Sequence, residues 1–245
     1  MIDNIHCPYC RKEMIRAVNQ PTSRSVEHMI PKAILTTRTP RDGDFYACRK
    51  CNSAKSHIDD VLAVVAKAQS ADSELAASAL KDAILRTDNT SRRFVEMFET
   101  ARLQEDGVHM SIPISGQDLY EYLCYLAKGQ HFRSTGTIYG SYTQVIQVEF
   151  IGKQVLASLE QHYESGLNAN PFIDLRSNPG TESIGGGECL IYSAGPEHLF
   201  LFHNYTGAIV RVLERTRRTV KAAREKRVAL IKEFEHRTFE VQSGK

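Results

Sequence analysis

Four of the six cysteines stand in two pairs of equal spacing, Cys7-Pro8-Tyr9-Cys10 and Cys48-Arg49-Lys50-Cys51, and no other feature of the 245-residue chain restricts its fold as much. Two thiolates separated by two residues chelate one tetrahedral ion from a tight turn, and two such turns complete the four-sulfur shell of a structural zinc site. Disulfides are the weaker reading, because Met1 to Cys10 has no basic stretch leading into an apolar run and so no secretory leader. A redox dithiol would need only one such pair and a βαβ setting, which the surrounding sequence lacks. Cys124 and Cys189 have no partner in the pattern and read as small core residues. With no leader, and no apolar run approaching the roughly 20 residues that cross a bilayer, a cytoplasmic protein without membrane contact is expected.

Between the pairs, Ser25-Val26-Glu27-His28-Met29-Ile30-Pro31-Lys32 reads as a short strand ending at a proline, with a carboxylate and an imidazole side by side. Directly after the second pair, Asn52-Ser53-Ala54-Lys55-Ser56-His57 opens a helix that runs into Val61 to Ala68. Hydrolysis of a phosphodiester needs a base for water, a divalent ion to neutralise charge on the phosphorane and leaving oxygen, and donors to hold the phosphate. An imidazole with an ordinary pKa near roughly 6.5 suits the first task, and carboxylate and amide oxygens suit Mg²⁺ or Mn²⁺.

Taken in order, CPYC, SVEHMIPK and CRKCNSAK resemble the HNH endonuclease family, whose ββα-metal fold is often stapled by a zinc on four cysteines. The resemblance covers about residues 5–60. It implies a structural Zn²⁺ on Cys7, Cys10, Cys48 and Cys51, His28 as the general base, and Glu27 and Asn52 as ligands of a catalytic Mg²⁺ or Mn²⁺. It further implies that Lys55, with Arg49 and Lys50, contacts substrate phosphates. The family's middle asparagine is replaced here by Asp44, after Gly43; Asp44 is expected to brace the loop between the two strands by a side-chain to backbone hydrogen bond. His57 falls on another face of the helix and reads as a polar surface position, and His6 as exposed or beside the zinc shell.

The remaining residues have a more ordinary pattern. With 42% hydrophobic and 24% charged residues the chain is globular rather than disordered, and its net charge of +2 does not by itself argue for nucleic acid. The distribution says more: both ends are basic, and Arg211 to Arg237 holds ten Lys/Arg against four Asp/Glu. Helical spacing of apolar residues predicts helices over Ile58 to Ala68, Ser73 to Arg86, Ser91 to Leu103, Gln117 to Lys128 (ended by Gly129), Gln154 to Glu164 (ended by Gly166) and Arg217 to Phe234. Alternation predicts strands over Val145 to Phe150, Cys189 to Ser193, Leu199 to Phe202 and Ala208 to Leu213. Gly185-Gly186-Gly187 precedes neither a helix nor a GK[ST] and reads as a turn rather than a phosphate loop.

The expected fold class is therefore α+β: an N-terminal zinc-stapled ββα-metal module over residues 1–60, a helical connector over 61–105, and a C-terminal small antiparallel sheet flanked by helices over 106–245. The expected function is a metal-dependent endonuclease acting on DNA, duplex DNA rather than RNA. The last helix, basic on one side, either contacts phosphates or packs on the sheet with its charges in water or against an acidic partner. Two alternatives stay open: a catalytically silent zinc module that binds nucleic acid, and a nuclease gated by a protein partner or signal at the C-terminal domain.

Overall fold

The computed structural model describes residues 1–36, 43–70, 72–87, 91–104, 107–151, 178–203, 206–234 and 238–242. The first element is a two-stranded antiparallel hairpin of β1 (Arg24–Glu27) and β2 (Phe45–Cys48), in a register that sets Arg24 opposite Cys48 and Glu27 opposite Phe45. β1 stops at Glu27 instead of continuing to the proline, because the Met29 N–H is taken by the Asp44 side chain rather than by a ladder partner. Cys48 then serves as the N-cap of α1 (Arg49–Ala68). That helix starts three residues earlier than Asn52 and crosses position 60 without a break, so the boundary expected there falls in mid-helix.

α2 (Ser73–Ile84) is capped by Asp72, whose side chain accepts from Glu74 N and Leu75 N, and it packs on α1. α3 (Ser91–Glu99) is shorter than its apolar pattern suggested. Turn hydrogen bonds from Thr100 N to Met97 O and Ala101 N to Phe98 O end it, and the chain turns into β3 (Arg102–Gln104). β3 pairs with β4 (Gly107–Ser111), which also pairs with the C-terminal β10 (Thr238–Gln242), making a three-stranded antiparallel sheet that sequence pattern did not reveal.

α4 (Gly116–Thr135) is the central helix, touching α1 on one side and the large sheet and last helix on the other. Gly129 was expected to end it and does not. A Cβ at Gly129 would lie 3.1 Å from Met29 Cγ and 3.3 Å from Phe45 Cζ, so the missing side chain lets α4 lie directly on the hairpin. The helix ends instead at Gly136, whose φ of 70° is the left-handed cap that glycine adopts without strain. Phe45 meets Phe132 edge to face at 5.5 Å, and Tyr9 meets Tyr125 at 4.8 Å, which completes the seam.

The large sheet is wholly antiparallel, in the order β5-β9-β8-β7-β6: β5 (Gln144–Ile151), β6 (Thr181–Ile184), β7 (Cys189–Ala194), β8 (Glu197–Phe202) and β9 (Thr206–Glu214). The four expected strands are all present here, each lengthened by one to three residues. The expected helix over Gln154 to Glu164 lies outside the described residues. α5 (Arg217–Phe234) is tied to the sheet by Lys226, which pairs with Glu149 on β5 beside the cross-strand partner Arg211 of β9, and to α4 by Arg227, which donates to Gln117 Oε1 at 3.0 Å and covers the Tyr120 ring. One hydrophobic cluster runs from Cys7 through Val61, Leu126 and Phe200 to Phe234. The three expected segments thus share a core. Among the described residues no helix is long and apolar enough to cross a membrane.

Candidate functional site

The two cysteine pairs meet. The Sγ atoms of Cys7, Cys10, Cys48 and Cys51 all lie within 4.8 Å of one another, and Cys10 and Cys48 are 3.6 Å apart. A tetrahedral shell with metal–sulfur bonds of about 2.3 Å has sulfur–sulfur edges of about 3.8 Å, so these thiols are placed to hold one metal ion such as zinc. Each pair is presented by a local device. Cys7 to Arg11 forms a turn in which Arg11 N donates to Cys7 O at 2.7 Å and Arg11 itself takes φ 67°, while Cys48 and Cys51 span the N-cap and first turn of α1. The thiols are unequal: the Cys51 thiol donating to Cys7 holds the latter down to about 5, whereas burial, with the repulsion of the Cys7 charge, pushes Cys48 up to about 11. Cys51 is raised as well, by the same hydrogen bond and by burial. A dication reverses this repulsion by attracting all four thiolates at once. Of the other cysteines, Cys189 is buried and Cys124 half-buried.

Beside the cysteine cluster lies a buried ionic network. Glu27 and Lys55 are each 1% exposed, and Lys55 Nζ lies 3.2 Å from Glu27 Oε1. Lys55 also donates to both Asp59 oxygens at 3.1 and 3.2 Å and to the His28 carbonyl at 3.2 Å, while Tyr9 Oη donates to Glu27 Oε1 at 2.9 Å. Burial raises the Glu27 and Asp59 carboxyls above the ordinary range, although Lys55 pulls both down. For Lys55 burial acts the other way, but the two carboxylates outweigh it and its pKa lies above the usual lysine value.

These positions correct one expectation, for Lys55 is sealed in the interior with its ammonium on Glu27, Asp59 and the His28 carbonyl instead of a phosphate. Glu27 gives Oε1 to Lys55 and Tyr9, while its Oε2 is buried without a hydrogen-bond partner among the described residues. Asn52 is half-buried on α1, where its Nδ2 donates to Ser25 Oγ at 2.8 Å and Val26 O at 3.0 Å. Since a carbonyl only accepts, the amide orientation is fixed, and Oδ1 is the arm not engaged with β1. Arg49 and Lys50 are exposed at the start of α1, and His57 and His6 are exposed.

His28 follows β1 and is partly exposed. The peptide that leaves it is held at both ends: its carbonyl accepts from Lys55 Nζ, and its N–H, that of Met29, donates to Asp44 Oδ2 at 2.8 Å. Asp44 thus makes the loop-bracing bond expected of it. Past this point the loop is anchored on the large sheet. The buried His203 ring faces Ile34 O with Nε2 at 2.7 Å, and Glu188 accepts from Thr36 N at 2.8 Å and from the Thr36 hydroxyl. Lys55 and Asp59, four apart on α1, were legible as a helical pair, whereas nothing local in the sequence points to Glu188 or His203. Comparison with protein-family models, with curated proteins and with solved structures finds no match to this chain.

Proposed function

We propose that this chain is a phosphodiester hydrolase acting on DNA, an endonuclease of the HNH kind, in which His28 takes the proton from the attacking water. The observation that carries this reading is the clamp on the peptide between His28 and Met29, a buried ammonium on its oxygen and a carboxylate on its nitrogen. A general base works only while its ring is aimed at one water, so opposite charges fixing the backbone at that residue suit the role. The order of hairpin, helix and four-cysteine cluster supports the family resemblance. Arg49 and Lys50 beside the cluster, and Arg217, Arg218, Lys221 and Arg224 along α5, are exposed cations suited to sequence-independent phosphate contact.

Mg²⁺ or Mn²⁺ neutralises charge on the phosphate in hydrolysis of this kind. Of the expected ligands, Asn52 keeps Oδ1 clear of its bonds to β1, and Glu27, whose Oε1 is turned to Lys55, keeps an Oε2 without a hydrogen-bond partner among the described residues. The inward Glu27 also favours one second reading, a zinc-stapled module that binds nucleic acid without cutting it.

Cleavage of supercoiled plasmid in the presence of Mg²⁺ or Mn²⁺ separates the two. The wild type should cut, and His28→Ala should lose at least about a hundredfold in rate, the scale of a missing general base, with DNA binding and zinc content unchanged. Equal rates would refute the assignment of the base. Binding without cleavage by the wild type would establish the second reading.

A further inference from the structure

We propose that Arg133, on α4, is a positioning residue for His28 that acts through Asp44; the inference rests on the nuclease reading above. The Asp44 carboxylate is shared, for while Oδ2 accepts the Met29 N–H, Oδ1 lies 3.4 Å from Arg133 Nε. Arg133 places Nη2 on Glu182 Oε1 at 2.6 Å and Nη1 on Gln130 Oε1 at 3.2 Å. Its guanidinium therefore joins three parts of the fold: the loop that braces His28, the β6 edge of the large sheet, and α4 itself. Both Arg133 and Asp44 are largely shielded, with side chains 20% and 16% exposed.

The physical need for Arg133 is electrostatic. A carboxylate withdrawn this far from water is unfavourable without a cation, by more than one hydrogen bond to a peptide returns. Removal of Arg133 leaves Asp44 to relieve its charge by turning toward solvent, and in doing so it releases Met29 N–H. The peptide carrying the His28 carbonyl then keeps its Lys55 contact and loses the one to Asp44. Lysine would supply the charge at position 133 but not a planar fork that reaches Asp44, Glu182 and Gln130 together. A neutral amide at position 44 would have no such need, because its oxygen accepts the same N–H without a countercharge.

The test is hydrogen–deuterium exchange at the Met29 amide of the full-length, zinc-loaded protein, with kcat and KM for plasmid cleavage measured in parallel. Arg133→Ala should speed Met29 exchange by roughly tenfold to a hundredfold, the scale of one hydrogen bond to a charged group. It should lower kcat with little change in KM or zinc content, and Arg133→Lys should recover part of both losses. Asp44→Asn combined with Arg133→Ala should bring both readouts back from their Arg133→Ala values, which the loss of a merely structural contact would not allow. Glu182→Gln, at an exposed position, should shift both in the same direction by less, and it serves if Arg133→Ala fails to fold. Unchanged Met29 exchange in Arg133→Ala, or a double variant no better than Arg133→Ala, would overturn the proposal. A wild type that does not cut refutes the nuclease reading instead, and Met29 exchange still decides the contact.

Discussion

Replacing Lys55 by Met keeps most of the side-chain volume and removes a charge from a site that is 1% exposed. The change deletes the contacts at 3.2 Å to Glu27 and at 3.1 and 3.2 Å to Asp59, and strands two carboxylates that are 1% and 8% exposed. Breaking a buried ion pair from one side costs about 3–5 kcal/mol, because the surviving charge has no water to return to. For a chain of this size each kcal/mol lowers the melting temperature by about 2–4 °C, so a fall of roughly 6–20 °C is expected. The loss should depend on pH in a definite direction. A carboxyl whose folded pKa is raised keeps its proton at a pH where the unfolded chain has released it, so stability falls as pH rises through that window. Burial already raises Glu27 and Asp59 against the pull of Lys55, and without Lys55 both rise further. The deficit of Lys55→Met should therefore be largest near neutral pH and shrink toward the ordinary carboxylate range. Thermal melts of both proteins across about pH 5–8, taken as differences at each pH so that any common effect of zinc release cancels, measure this. A deficit below about 1 kcal/mol at neutral pH, the range of an exposed ion pair, would refute a sealed ionic network, as would a deficit independent of pH.

Elemental analysis should find one zinc per chain, and Cys48→Ala or a strong chelator should lower the melting temperature of the whole N-terminal module; four freely alkylated thiols and no metal would count against the shell. Neutralising Arg217, Arg218, Lys221 and Arg224 should weaken DNA binding equally across sequences and lower the slope of log affinity against log salt by about 0.9 per lost contact. An unchanged slope, with the fold intact by circular dichroism, would leave the DNA grip to Arg49 and Lys50. Gly129→Ala should destabilise by about 1–3 kcal/mol despite alanine's better helix propensity, since the new methyl presses on Met29 and Phe45. A melting temperature equal to or above that of wild type would show that α4 does not lie this tightly on the hairpin.

Local chemistry was enough to predict much of this molecule. Two CxxC turns specify a shared sulfur cluster because chelation geometry depends on spacing within each pair, and the fold had only to bring the pairs together. Periodicity placed most helices and four of the five strands of the large sheet, all but β6, for the same reason, since a 3.6 or 2.0 repeat is written into consecutive residues. The bracing role of Asp44 was expected too, from the place it takes in the resemblance to the HNH pattern rather than from local periodicity. Tertiary structure decided what local pattern leaves open. Whether Glu27 and Lys55 face a substrate or each other depends on what covers them, and α4 covers them, settling on the hairpin where Gly129 leaves room. Gly129 reads as a helix stop in the sequence and is a packing contact in the fold, because the sequence does not show which surface approaches it. β10 pairs with β4 across more than a hundred residues, and Arg133 meets Asp44 across nearly as many. Such pairings follow from the assembled core and from the requirement that buried charge find its counterpart, neither of which is a property of any stretch of sequence by itself.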